Sequence, residues 1–174
     1  PQHGYYFYGK VGSTVGNLMS SASMQMVKGD AAYYFTPEKK KYGTFIVRGQ
    51  GGLVNVSDEM NAPQSLLFRT GGATSVRGYE YESIGIRGYD DAVVGGKVMA
   101  AASLEYQLPI KQDYALAVFH DVGGVSNSIG DFTLKHGTGI GGRWFSPFAP
   151  IAFDLAYGHD DQKIRWYIGL GTQF

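Results

Sequence analysis

Apolar and polar residues alternate along much of this chain with a period of two, the period of a β-strand with one apolar face. The pattern is clearest at the end. Trp166, Ile168, Leu170 and Phe174 fall on one side, with Arg165, Tyr167, Gly169, Gly171 and Gln173 on the other. The preceding segment repeats it, setting Ile151, Phe153, Leu155 and Tyr157 against Ala152, Asp154, Ala156 and Gly158. From Val98 to Leu108, the residues Ala100, Ala102, Leu104, Tyr106 and Leu108 oppose Met99, Ala101, Ser103, Glu105 and Gln107. Further strands are expected near 4–15, 22–36, 43–56, 113–124 and 134–146, about eight in all. Turn-forming or charged stretches separate them: Thr36 to Lys41, Pro109 to Asp113, Ser146 to Pro150 and His159 to Lys163.

One connection does not fit a hairpin. Between Ser57 and Lys97 lie about 40 residues, far more than a turn needs, so this loop is expected to be functional or ordered by contacts elsewhere. It carries two arginine-glycine-tyrosine triplets, Arg77-Gly78-Tyr79 and Arg87-Gly88-Tyr89. An arginine among small residues in such a loop has two readings. It is either a surface side chain or a buried guanidinium paired with an inward carboxylate, since burial without a partner is costly. Asp121, Asp154 and Glu105 are the candidate acceptors, all on expected inner faces.

Alternation by itself leaves two architectures open, a soluble antiparallel sandwich and a closed transmembrane barrel. Rows such as Trp166/Ile168/Leu170 on one side, with Arg165, Asp154 and Glu105 on the other, favour the barrel. Composition points the same way, because 26 glycines, 13 tyrosines and 10 phenylalanines suit glycine-bent strands and aromatic girdles. The 15 basic and 15 acidic residues cancel, so bulk charge does not attract nucleic acid or an anionic surface. There is no cysteine, which removes disulfide scaffolds and thiolate metal sites. No apolar run approaches the length of a membrane helix, and the start, PQHGYYFYGK, lacks the layout of a signal peptide. The chain is therefore expected to be a piece of a longer protein.

Several motifs imitate chemistry. Gly137, Gly139 and Gly142 match a dinucleotide fingerprint, but Arg143-Trp144-Phe145-Ser146-Pro147 follows them, not the helix that would hold a pyrophosphate. Gly4 and Gly9-Lys10 imitate a phosphate loop around four aromatics, which cannot form an amide cradle. His3, His120, His136 and His159 are scattered and read as solvated or hydrogen-bonded side chains. Asp90-Asp91 and Asp160-Asp161 read as solvated loop charges. No catalytic constellation assembles, so neither an enzyme nor a cofactor is expected.

With those residues in view, the sequence resembles a known family. Ser75-Val76-Arg77-Gly78-Tyr79 is similar to the V-R-G-[FY] motif in the long sixth loop of the superfamily containing BamA and TamA. Phe119-His120-Asp121-Val122-Gly123 resembles its F-x-D-x-G strand motif. Gly137 to Ala156 resembles its G-x-G-x-G-x-R-W-x-S-P-x-x-P strand pair, and all three occur in family order. The wording S-V-R-G-Y-x-Y-x-S-I and the ending Y-I-G-L-G are closer to the TamA branch than to the BamA branch.

The resemblance implies an all-β antiparallel transmembrane barrel of sixteen strands, of which residues 1–174 are the C-terminal half, without the periplasmic POTRA domains. It implies that Arg77 enters the lumen, that Asp121 is its acidic partner, that Gly78 lets the backbone turn and that Tyr79 packs the loop tip. It implies a lateral seam at the final strand, where Trp166, Gly169, Gly171 and Phe174 lie, with Thr172 standing where an aromatic or apolar residue is usual. The implied role is insertion of autotransporters or other barrel clients into the Gram-negative outer membrane. Its partners are membrane lipid, client proteins and an inner-membrane or periplasmic partner such as TamB, with no cofactor, metal or nucleic acid. The alternatives are the anchor of a lipase-like or two-partner-secretion protein, and a passive pore or adhesin.

Overall fold

In a computed structural model, which describes residues 3–14, 24–38, 42–56 and 64–171, the alternating segments form one antiparallel sheet. Its strands are β1 (His3–Thr14), β2 (Met24–Phe35), β3 (Thr44–Val56), β6 (Val98–Lys111), β7 (Tyr114–Ser126), β8 (Lys135–Phe145), β9 (Pro150–Gly158) and β10 (Lys163–Leu170). They pair in that order. Two further strands, β4 (Ile86–Arg87) and β5 (Val93–Val94), form a separate hairpin inside the long loop. Among the described residues the sheet is not closed, with β1 and β10 at its two ends.

The two-residue period sets the faces. Ser103, Glu105 and Gln107 of β6, Ala117, Phe119 and Asp121 of β7, and Ala152, Asp154 and Ala156 of β9 are buried on the inner side. Leu104, Leu116, Val118, Ile140, Phe153, Leu155, Trp166 and Ile168 are exposed on the outer side. One sheet therefore turns an apolar surface outward and a polar one inward, the inverse of a soluble sandwich. At the end away from the long loop, the Phe45 and Tyr106 rings meet with centroids 4.7 Å apart, and Tyr114 stacks parallel to Trp144 at 6.2 Å. Aromatics at that level suit a membrane interface.

Pro150, expected in a turn, opens β9, and two boundaries differ further from the sequence reading. The expected turn from Pro109 to Asp113 shrinks to Gln112 and Asp113, because β6 continues through Pro109 to Lys111. The missing proline donor is accommodated by a register shift between Pro109 and Lys111. The last strand stops at Leu170, and Gly171 follows with φ +112°, a left-handed conformation that glycine adopts freely. Thr172 and Phe174 lie outside the described residues.

The long loop folds back over the inner face. Its base is anchored where Phe68 packs with Met24, Val54, Met99 and Val125. Bridges Phe68–Gly96 and Thr70–Ile84 tie its two arms together. Beyond the second bridge, Val76, Tyr79 and Ile84 pack on Ala101 of β6. A cavity of about 620 Å³, lined in part by Tyr8, Tyr34, Arg48, Gln50 and Thr74, remains between the loop and β1–β3.

Candidate functional site: a loop arginine on the inner face

Strands β3 and β6 to β9 contribute to the site through the side chains that the pleat turns inward. Ser103 pairs with Asp121 across β6 and β7, one step from Glu105 opposite Phe119. Gly141 pairs with Asp154 across β8 and β9. Three carboxylates from three strands thus face one region, a charge arrangement that is untenable unless cations enter it.

Arg77 enters it from the loop and is 2% exposed. Its Nε donates to Asp121 Oδ2 at 2.7 Å and its Nη2 to Asp121 Oδ1 at 2.9 Å, a bidentate pair. The Arg77 backbone N–H also donates to Asp121 Oδ2, at 3.0 Å. Nη1 donates to Glu105 at 2.7 Å and to Asp154 at 3.1 Å. Nη2 reaches Ser103 Oγ at 3.3 Å. The guanidinium carbon lies 3.3 Å from the centre of the Phe119 ring, a cation–π contact.

A second cation balances the cluster. Arg143 of β8, also buried, donates from Nη2 to Glu105 at 2.8 Å and bonds Asp154 through Nη1. Arg48 approaches Glu105 at 3.5 Å. Glu105 and Asp154 are therefore each shared between Arg77 and Arg143, while Asp121 belongs to Arg77.

The glycines of β8 make room for the loop. Gly137, Gly139 and Gly141 share the inner face, so no side chain rises from it until Arg143. A Cβ at Gly137 would overlap the Arg77 carbonyl oxygen, one at Gly139 the Phe119 ring, and one at Gly141 the Asp154 carboxylate. The G-x-G-x-G run is a trough for the loop backbone and two neighbouring side chains. Gly78 turns the chain with φ +101°, and its Cα lies so close to the Tyr157–Gly158 backbone that an added Cβ would meet Gly158 N at 2.8 Å.

The loop tip is held by further bonds. Tyr79 donates its hydroxyl to Asp160 Oδ2 at 2.7 Å and lies 2.9 Å from the His136 carbonyl oxygen. Burial, together with the hydrogen bond to Asp160, pushes the Tyr79 phenol up to about 12, so it stays a donor throughout the physiological range. Partial burial works against the Asp160 charge, but the Tyr79 hydroxyl and Lys135 outweigh it and hold the carboxyl below its ordinary value of 3.8. A depressed carboxyl stabilises the folded form above its unfolded pKa and loses that contribution as pH falls through the folded one. The Tyr79–Asp160 contact should thus be indifferent to pH between about 5 and 8 and weaken only in acid below the ordinary aspartate range. An NMR titration of a carbon-labelled Asp160 carboxyl is the check, and an inflection above pH 5 would contradict it.

The sequence-predicted residues divide cleanly. Arg77, Gly78, Tyr79 and Asp121 come together, and all three candidate acceptors lie on the same guanidinium. Trp166 faces outward, Gly169 inward, and Gly171 lies just past β10. Phe174 is outside the described residues. The second triplet runs from the end of β4 into the tip of the β4–β5 hairpin, with Tyr89 exposed. Sequence reasoning missed Arg143, although its parity with Gly137, Gly139 and Gly141 already put it inward. It also read Asp160 as solvated, since the loop tip that reaches it lies 81 positions away in sequence. His120 and His159, distant in sequence, both bond Thr138 on the outer face, at 2.8 and 2.9 Å. Among the described residues no group of three or more His, Cys, Asp or Glu side chains is arranged to hold a metal ion.

Comparison with known proteins decides the family. The Omp85 superfamily domain matches residues 1–174. The chain belongs to the Omp85 superfamily. The outer membrane assembly factor BamA of Nitratidesulfovibrio vulgaris is 32% identical over 123 residues, covering 67% of this chain and 16% of that protein. The crystal structure of BamA from Haemophilus ducreyi lacking POTRA domains 1–3 superposes with a TM-score of 0.68 at 19% identity, over 94% of this chain and 41% of that one. That likeness shows the fold, an antiparallel barrel sheet. This chain thus spans a minor part of the length of both relatives. As an Omp85 protein it is placed in the outer membrane of Gram-negative bacteria, with its outward apolar face toward lipid. Ile140, 61% exposed and paired between Val118 and Leu155, tests that orientation. Ile140→Lys should destabilise the folded barrel by about 2–4 kcal/mol, the cost of a cation near the bilayer centre. Urea unfolding in lipid vesicles measures it, and a neutral result would place this face in water.

Proposed function

We propose that this chain is the loop-bearing, terminal-strand part of an outer-membrane protein assembly factor, acting by lateral insertion of barrel clients without a chemical step. The observation that carries the reading is the seated loop. A passive pore has no use for an arginine that ties a long loop to three carboxylates on the lumen face. The position of β10 fits it, because β10 pairs only with β9 among the described residues and a strand edge without a stable partner is a template for β-augmentation. Gly169 within that strand and Gly171 beside it leave the edge with little side-chain packing. Arg77, Gly78, Tyr79 and Asp121 form the lock between loop and lumen, and Trp166, Gly169, Gly171 and Phe174 mark the seam. Client barrel proteins and outer-membrane lipid are the partners. A TamA-like specialisation for autotransporters, with a TamB-like partner, rests on the S-V-R-G-Y-x-Y-x-S-I and Y-I-G-L-G wording.

The experiment is site-specific photocrosslinking along residues 163–171 of the full-length protein in membranes making an autotransporter or a porin. Adducts with nascent clients are expected, concentrated on the free edge and reduced by Arg77→Met. Absence of client adducts at every position, with the barrel folded, would sink the reading. Adducts with porins but not autotransporters would remove only the specialisation.

A further inference from the structure

The carboxylates that seat Arg77 lie on β6, β7 and β9, and none is on β10. Yet β10 holds the loop by a different route. The Tyr167 hydroxyl accepts the Gly78 N–H at 2.8 Å and donates to the Tyr79 carbonyl at 2.8 Å. One phenol thereby satisfies a donor and an acceptor on successive residues, which face the same way because Gly78 adopts a left-handed φ of +101°. Two positions earlier and on the same inner face, Arg165 donates to the Gly78 carbonyl at 2.6 Å and to Glu80 at 3.2 Å, while pairing with Asp161 at 2.7 Å. The Gly78 N–H, the Gly78 carbonyl and the Tyr79 carbonyl are thus all held by β10 side chains.

Among the described residues β10, like β1, pairs with one neighbour. Eight residue pairs from Lys163↔Gly158 to Leu170↔Ile151 join it to β9, and its other edge is open in the sheet. Its outward residues Trp166, Ile168 and Leu170 are exposed. Contacts of Arg165 and Tyr167 with the loop therefore supply this strand with a second line of attachment, one that exists only while the loop is seated.

We propose that Arg165 and Tyr167 form a clasp that couples the seating of the arginine loop to the hydrogen-bonded integrity of the terminal strand. Linkage makes the coupling reciprocal. Withdrawal of the loop loosens β10, and displacement of β10, as by a strand pairing on its free edge, releases the loop. Both are positioning residues, acting through the loop and not on a client directly. The clasp deepens the assembly reading, since a seam at β10 is its premise, but it concerns equilibria within this protein and is measured without a client.

The test is amide hydrogen exchange on the full-length protein in lipid vesicles, reading peptides that cover residues 74–80, 98–108 and 163–170. Tyr167→Phe keeps the ring and removes both hydrogen bonds, and roughly tenfold faster exchange is expected in the first and last peptides, with the β6 peptide unchanged. Arg77→Lys, which weakens the seat on β6, β7 and β9, should accelerate exchange in 163–170 as well. In the double variant the Tyr167→Phe effect on 163–170 should shrink, because the weakened seat already releases the loop for part of the time. Additive effects would mean that Tyr167 merely stabilises its own strand. Faster exchange at 74–80 in Arg77→Lys with β10 unmoved would overturn the proposal. Arg165→Gln, which removes the charge and keeps the reach, is the second probe and should reproduce the Tyr167→Phe pattern. Failure of the client crosslinks would leave this result standing, and the reverse holds too.

Discussion

Arg77→Met releases the long loop from the inner face while the sheet remains folded. The substitution keeps much of the apolar stem and deletes every guanidinium contact, leaving Asp121 without its bidentate partner, Asp154 with Arg143, and Glu105 with Arg143 and the longer Arg48 contact. Removing one member of a buried ionic cluster costs about 3–5 kcal/mol, mostly because the remaining charges stay desolvated. The cost falls on the seated state, since a displaced loop admits water to the carboxylates. Hydrogen exchange of the 74–80 segment should therefore accelerate by three orders of magnitude or so, beyond the effect of any single neutral hydrogen bond. Arg69→Ala is the control from the same loop, because its contact with Glu82 is long, at 3.9 Å, and partly solvated. It should change the seating by less than about 1 kcal/mol. Slow exchange in Arg77→Met equal to the unsubstituted chain would show that apolar packing of Val76 and Tyr79 holds the loop and that the ionic cluster is incidental.

Gly137→Ala should match that effect with a single methyl group. The added Cβ occupies the space of the Arg77 carbonyl oxygen, and backbone on both sides cannot yield as a flexible side chain would. Either the loop lifts or β8 bends, and β8 is held by β7 and β9 along most of its length. The loop is the weaker party. Trypsin reports the outcome directly, because the bond after Arg77 is inaccessible while that residue is buried and becomes cleavable once the loop lifts. Gly49→Ala, on β3 with nothing near its added Cβ, should leave Arg77 uncut. Protection of Arg77 in Gly137→Ala would mean that the trough is not what admits the loop.

The chain's own pattern of residues settled the parts that depend on near neighbours. A two-residue period assigns each side chain of a strand to one face without reference to any other strand. The sheet, its inward Glu105, Asp121 and Asp154, and the excess length of the 57–97 connection were all legible for that reason. Gly139 and Gly141 were visible as a motif, yet their use was not. A glycine's absent side chain has meaning only against what approaches it, here Phe119 and Asp154.

Only the tertiary structure decided which distant groups meet. Alternation places three carboxylates inward but says nothing of how registers align them or where a loop of free path descends. The pairing of Ser103 with Asp121 and of Gly141 with Asp154 fixes the first, and the Gly78 turn onto Gly158 fixes the second. From these came the sharing of Glu105 and Asp154 between Arg77 and Arg143, the Tyr79–Asp160 bond and the grip of Tyr167 on the loop backbone. Apart from Arg143 with Asp154, these contacts join residues 28 to 88 positions apart. Such contacts depend on strand register and loop path together, and no local periodicity encodes both.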